Sequence, residues 1–251
     1  MQFSVCIDAL FRGRSQEEAL EALKAAGFQA FEFWGWWDRN LDDLCAKARA
    51  LGLSCAALCT RFISLTDPAQ RNAYLAGLGE TIEAAKKTGA KIIISQLGND
   101  TGCRRDFQHR SIVAGLKAAV PLLEENNGIT LAIEPLNGRV DHIGTYLESS
   151  DEGFEIVREV GSARVKLLFD IYHQQISEGD IISRIGANIN SIAHVHAAGV
   201  PGRHELDQGE LNYPAIFKVL DQKGYRGFVG LEYFPSQDVM SGLEKLRRLD
   251  T

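Results

Sequence analysis

The feature that most constrains this chain is a repeated alternation: eight short runs rich in apolar and β-branched residues, separated by longer amphipathic stretches. The runs fall at 3–7, 30–33, 53–59, 91–96, 130–134, 165–170, 192–196 and 227–232, and their length and composition predict strands. Helix start and stop signals recur between them. Ser15 and Glu18 have capping-box spacing, and Gly27 is placed to close the helix they begin. Asp67 before Pro68 predicts the start of the third helix, with Asp as N-cap and Pro at the first helical position. A long helix is expected over 108–126, ending at Asn126-Asn127-Gly128, and another over 213–222, ending before Gly224.

Alternation of this kind implies a parallel sheet with right-handed crossovers, and eight units can close that sheet into a (β/α)8 barrel. An open doubly wound sheet is the rival. It calls for Gly-x-Gly-x-x-Gly after the first strand, and no such fingerprint occurs there. The expectation is therefore an α/β protein, a (β/α)8 TIM barrel forming a single domain over 1–251, since 251 residues is an ordinary length for one such barrel.

Composition narrows the function. A 45% hydrophobic and 24% charged chain can build a sizeable core and stay soluble. No apolar run is long enough to span a membrane, and the N-terminus lacks the basic-then-apolar order of a secretory signal, so a cytoplasmic location is expected. The five cysteines, Cys6, Cys45, Cys55, Cys59 and Cys103, are odd in number and lack Cys-x-x-Cys spacing. They read as reduced thiols, mostly in the core, rather than a zinc-thiolate site. A formal net charge of −6 without an extended basic cluster argues against nucleic acid as a partner. A small-molecule carbonyl substrate is expected instead, and a homo-oligomer is compatible with the sequence.

Four residues carry the chemistry. Glu134, Asp170, His196 and Glu232 each end a predicted strand, on the fifth to eighth strands in turn, and in a barrel those ends converge on one mouth. Alternation places Ala132, Leu168, His194 and Gly230 beneath them, a floor of mostly small or apolar side chains. Inward carboxylates above such a floor are costly unless paired or metal-bound, and three of them together repel and drive their pKa values upward. One divalent metal ion relieves that. Three oxygen ligands and an imidazole suit Mn2+, Mg2+ or Co2+, with Zn2+ also compatible. The alternative is that each residue only caps a loop or makes an ion pair.

A divalent ion at such a mouth polarises a carbonyl and its neighbouring hydroxyl, which acidifies the intervening C–H. Glu134 and Glu232, two strands apart, would flank a bound substrate and serve as the catalytic acid/base pair. Asp170 and His196 would then be ligands only. His173, three residues after Asp170, is placed to stabilise an enolate oxygen or else to lie at the surface. Arg203, on the seventh loop, can fork onto a substrate carboxylate; its alternative is an ion pair with Glu205 or Asp207. Trp34, Trp36 and Trp37 follow the second strand, where they would wall the pocket or pack on a neighbouring helix or subunit.

The segments IEPLN (133–137), LLFDIYHQQ (167–175), HVHAAGVPGRHELDQGELNY (194–213) and GLEYFP (230–235) resemble the hydroxypyruvate isomerase family, one of the xylose-isomerase-like barrels. The likeness covers nearly the whole chain in layout and is motif-specific from 130 to 235. It implies interconversion of hydroxypyruvate and tartronate semialdehyde, or isomerisation of a related small 2-oxo acid or ketose, through an enediolate. It also implies that Glu134 and Glu232 occupy acid/base and metal positions, Asp170 a ligand position, and His173 and Arg203 substrate-contacting positions. Three residues depart from the pattern. His196 stands where the isomerases carry glutamine, as it does in ketose 3-epimerases; Val140 stands where those epimerases carry a glutamate; Leu206 replaces a proline usual in the isomerases. A ketose 3-epimerase acting on free sugars is thus the alternative function, and a non-catalytic sugar-binding barrel a remote one. Endonuclease IV-like enzymes share the ligands of strands five to eight but need further histidines after strands two to four. Thr60-Arg61-Phe62 and Leu97-Gly98-Asn99 carry none.

Overall fold

Eight parallel strands pair in chain order and the last closes onto the first, so the sheet is a barrel. The computed structural model describes residues 1–126 and 128–249, with the side chains of 247–249 left aside; Asn127, placed by the sequence at the end of the long helix, lies outside the described residues. The strands are β1 (Gln2–Cys6), β2 (Ala30–Phe33), β3 (Ser54–Cys59), β4 (Ile92–Ser95), β5 (Thr130–Ile133), β6 (Val165–Asp170), β7 (Ile192–Ala197) and β8 (Phe228–Leu231). All eight expected strands are present, with no end shifted by more than one residue.

Among the described residues ten helices lie between and after them: α1 (Ile7–Leu10), α2 (Gln16–Ala25), α3 (Leu41–Leu51), α4 (Arg71–Thr88), α5 (Arg105–Glu125), α6 (Ser150–Val160), α7 (Ile171–Ser177), α8 (Ile181–Asn188), α9 (Tyr213–Gln222) and α10 (Val239–Leu249). The capping box before α2 is formed in both directions: Ser15 Oγ accepts from the Glu18 amide, and Glu18 Oε2 accepts from the Ser15 amide at 2.9 Å. Gly27 follows it at φ 83°, a conformation glycine takes without steric cost. Two boundaries differ from expectation. Asp67 does act as an N-cap, but over a 3-10 turn, Pro68–Gln70, that leads into α4. Helix α5 begins at Arg105 rather than 108, although Arg104 at its N-cap offers no side-chain bond. The first turn is held from outside, because Arg105 reaches the Tyr146 carbonyl and Glu152.

Outward-facing strand side chains meet the helices in one large core; Phe31, Phe33, Leu131, Leu167, Phe169 and Val195 all belong to it. A second, smaller buried cluster, Ala57, Cys59, Ile94, Ala132 and Leu168, fills part of the barrel interior. All five cysteines are free, and Cys6, Cys55 and Cys59 are buried. No described helix is long and apolar enough to cross a membrane. The fold therefore delivers its strand ends, and any side chains just beyond them, to one shared mouth.

Candidate metal centre and active site

The four expected residues meet. Potential ligand atoms of Glu134, Asp170, His196 and Glu232 all lie within 4.8 Å of one another, and all four residues are buried. Local structure explains each position. Glu134 and Glu232 come one residue after β5 and β8, and Asp170 ends β6. His196 is the penultimate residue of β7, opposite Asp170 on one side and Gly230 on the other. Asp170 also caps a helix: its Oδ1 accepts from the amides of Tyr172 at 2.8 Å and His173 at 3.2 Å. Its Oδ2 stays turned to the site, 4.0 Å from His196 Nδ1. The same nitrogen is 3.3 Å from Glu232 Oε2 and 3.9 Å from Glu134 Oε1.

The electrostatics fit a cation. His196 Nδ1 is buried with no hydrogen-bond partner among the described residues, facing three carboxyl groups. In the metal-free protein burial pushes the Glu134 carboxyl well up, reinforced by Glu232, and burial also raises Asp170. Glu232 goes the other way. Burial opposes its ionisation, but Arg203 and His196 outweigh that and hold it well below the usual carboxylate range. Burial disfavours charge on His196, but Glu32 and Glu232 outweigh it and push the imidazole well above its ordinary value, so a cation would displace a proton there. Three oxygen donors and that imidazole form a donor set that divalent Mn, Mg, Co or Zn accepts.

Around these groups lies a cavity of about 440 Å³ at the carboxyl-terminal mouth, lined among others by Trp34, Phe62, Gln96, Leu136, His142 and Phe234. A cleft of about 490 Å³ at the opposite mouth, between Phe3, Phe28, Gln29 and Phe228, has no acidic, basic or histidine side chain among its lining. Chemistry, not size, identifies the first.

The expected substrate-contacting residues take definite places. His173 is buried in the cavity wall; its Nδ1 accepts from the Asn137 amide at 3.3 Å, so the proton of the neutral ring sits on Nε2. Burial and the nearby Arg203 keep that ring neutral by holding its pKa well below the ordinary imidazole value. Nε2 lies 3.6 Å from Asp170 Oδ2 and is a donor directed toward the site. Arg203 is only 8% exposed and pairs with Glu232 Oε2, not with Glu205 or Asp207; Glu205 instead accepts from Ser236. Trp34 Nε1 donates to Glu232 Oε1, so both oxygens of Glu232 are held. Trp36 and Trp37 do not line the cavity. They pack edge to face on each other at 5.8 Å, and Trp37 packs on Phe62, which does line it.

Ala132, Leu168 and Gly230 make the small or apolar floor the sequence implies, and a polar layer joins it. His194 is not an inert filler under His196 but part of a buried polar layer with Glu32 of β2 and Ser4 of β1. Glu32 Oε2 accepts from His194 Nε2 at 2.8 Å and from Ser4 Oγ at 2.9 Å. Burial works against a charge there, yet His196 and His194 pull the Glu32 carboxyl down to about 2. Glu32 was hidden in AFEF, which reads as an apolar strand with one polar face; the usable signal is that Glu32 lies two residues below Trp34 and so faces the same way. Asp141 and His142, from the loop after β5, also line the cavity without a strand position to announce them.

A model of the xylose isomerase-like TIM barrel family matches residues 20–249. A 2-oxo-tetronate isomerase of Cupriavidus necator is 33% identical, with 98% of this chain and 97% of that protein covered. The hydroxypyruvate isomerase of Escherichia coli is 31% identical over 97% of each. The crystal structure of an AP endonuclease, family 2, from Brucella melitensis superposes with a TM-score of 0.94 at 27% identity, covering 98% of both chains. With this barrel and these relatives, the chain belongs to the xylose isomerase-like TIM barrels and, among them, to the hydroxypyruvate isomerase group of isomerases.

Proposed function

We propose that the protein is a metal-dependent isomerase of small 2-oxo or hydroxy acids, moving a proton between adjacent carbons through an enediolate. The observation that carries this reading is the pairing of Glu134 and Glu232 across one cavity with His196 and Asp170 between them. When bound, a divalent cation supplies Lewis acidity to a carbonyl and its neighbouring hydroxyl. The side chains do the rest. Among the described residues no side chain hydrogen-bonds to the Glu134 carboxylate, which is therefore free to approach a substrate carbon and take its proton. Glu232 is held at both oxygens by Trp34 and Arg203, and it works from the opposite side. In a reversible isomerisation the two exchange roles with direction, each contributing about 10²–10⁴-fold. His173 Nε2–H is a neutral donor for the negative oxygen that develops. Leu136 and Phe234 give the cavity apolar walls that would limit water at the reacting carbon.

The names of the relatives support acids of three or four carbons as substrates. Epimerisation at C3 of free ketoses is the second reading. His196 favours it; Val140, 61% exposed and without a carboxylate, does not supply the acid those epimerases carry. With Mn2+, solvent deuterium is expected to enter hydroxypyruvate and 2-oxo-tetronate next to the carbonyl. Entry at C3 of ketoses alone would replace this reading with the second. Glu134→Gln and Glu232→Gln should each lower turnover by about 10²–10⁴-fold, and a near-wild-type rate in either removes that residue from the acid/base pair.

A further inference from the structure

Below the candidate metal centre, Glu32 stands inside the barrel, 2% exposed, between His194 and His196 of β7. Its two oxygens have different company. Oε2 takes both Ser4 and His194, whereas Oε1 is left to His196, whose Nε2 lies 2.9 Å away. The His196 ring N–H is tilted off that line, so Oε1 and both nitrogens of His196 are buried without an aligned hydrogen bond. A small turn of the ring aligns Nε2–H on Oε1 and sets the Nδ1 lone pair toward Glu134, Asp170 and Glu232.

The neighbouring strand is built for this contact. Gly230 of β8 is paired with His196. A Cβ at Gly230 would come within 2.3 Å of Glu32 Oε1 and 2.7 Å of His196 Cδ2, so any larger residue would drive the two apart. The layer is not a second metal site. Glu32, His194 and His196 are close enough to be counted as potential ligands, but Glu32 Oε2 is already taken by hydrogen bonds from His194 at 2.8 Å and Ser4 at 2.9 Å.

We propose that Glu32 is the positioning residue of the metal centre: it keeps the proton of His196 on Nε2, so that Nδ1 is presented bare to the cation. A metal-bound imidazole needs an acceptor for its other N–H, and a carboxylate in that place fixes both tautomer and ring orientation. The inference rests on the metal-centre reading above.

The test measures metal binding rather than turnover. Metal-stripped wild type, Glu32→Gln and Gly230→Ala are titrated with Mn2+ by calorimetry, and the stripped forms are studied by long-range 1H–15N spectroscopy at a pH where the His196 ring is neutral. Glu32→Gln should weaken Mn2+ binding by about 10–100-fold and replace the single Nε2–H signature of His196 with a mixture. Gly230→Ala should do the same through steric displacement of Oε1, and it decides the question if Glu32→Gln does not fold. A folded variant that binds Mn2+ within about twofold of wild type, with the His196 signature unchanged, overturns the role of Glu32 alone. Wild type that takes up no divalent ion overturns the metal centre and this inference together.

Discussion

The two sides of the barrel interior differ sharply beneath one and the same mouth. Under Glu134 and Asp170 the floor is apolar, made by Ala57, Cys59, Ile94, Ala132 and Leu168. Under His196 and Glu232 it is Ser4, Glu32 and His194, with Gly230 leaving space for them. The carboxyl groups answer to these surroundings and to the charges beside them. Burial drives Glu134 and Asp170 up, while Arg203 and His196 hold Glu232 down and the two histidines hold Glu32 down. The lesson is that four acids of ordinary chemistry are sorted into two states by their neighbours. The dry side stores repulsion that a cation can relieve, and the polar side orients the imidazole and the fixed carboxylate.

The largest effect should come from removing the acid over the dry floor. Glu134→Gln is expected to lower turnover by about 10²–10⁴-fold while stabilising the metal-free protein at neutral and higher pH. The folded carboxyl titrates above its unfolded value of about 4.3, so its favourable contribution is complete below that pH. It is lost as pH rises toward the raised folded value. Wild type and Glu134→Gln should thus melt together in acid and diverge as pH rises, with the variant more stable. Each kcal/mol relieved shifts Tm by about 2–4 °C in a protein of this size. Melting curves of stripped protein at a series of pH values measure this, and a gap that closes as pH rises would show that Glu134 is not strained by burial.

Next in size is the floor itself. Leu168 is fully buried directly below Asp170, and Leu168→Ala should cost about 2–5 kcal/mol through lost contact and a residual cavity. Denaturant unfolding reads it. A loss below about 1 kcal/mol would mean that the dry side collapses easily and does not hold the acids rigidly.

These contrasts were only partly legible in the sequence. Glu134, Asp170, His196 and Glu232 could be found because ligand-type residues at successive strand ends must converge once a barrel is inferred, and the barrel followed from eight alternations. Arg203 was legible as a site residue, but its partner was not: nothing in GVPGRHELD distinguishes a pair with distant Glu232 from one with nearby Glu205 or Asp207. Glu32 was easy to overlook for a more general reason. In a parallel barrel both faces of each strand are covered, so alternation in AFEF does not say which face is inward. Only the closure of β1, β2, β7 and β8 brings Ser4, Glu32 and His194 together across the interior. His142 and Asp141 come from a loop, where no periodicity operates.

A smaller effect is expected where Trp34 meets Glu232. Trp34→Phe keeps an aromatic wall but removes the N–H that holds Oε1. A hydrogen bond to a charged group is worth about 1.5–3 kcal/mol, and Arg203 still grips the other oxygen. Turnover should fall roughly tenfold, with the Mn2+ affinity changed less. A fall as deep as that of Glu232→Gln would mean that Trp34 does more than hold the carboxylate.

The smallest effect tests how the polar side divides its work. Ser4→Ala deletes one of two donors to Glu32 Oε2 and leaves the His194 bond and the His196 contact in place. The cost should be near that of one hydrogen bond to a charged group, about 1.5–3 kcal/mol of stability, toward the low end of the range for Leu168→Ala on the dry side. Mn2+ binding should move by less than the about tenfold lower bound for losing a carboxylate partner of a metal-bound histidine, because Oε1 still faces His196. If Ser4→Ala weakens Mn2+ as strongly as Glu32→Gln, the two oxygens of Glu32 are not independent. The polar layer then acts as one hydrogen-bonded unit, in which losing any donor swings the carboxylate away from the imidazole.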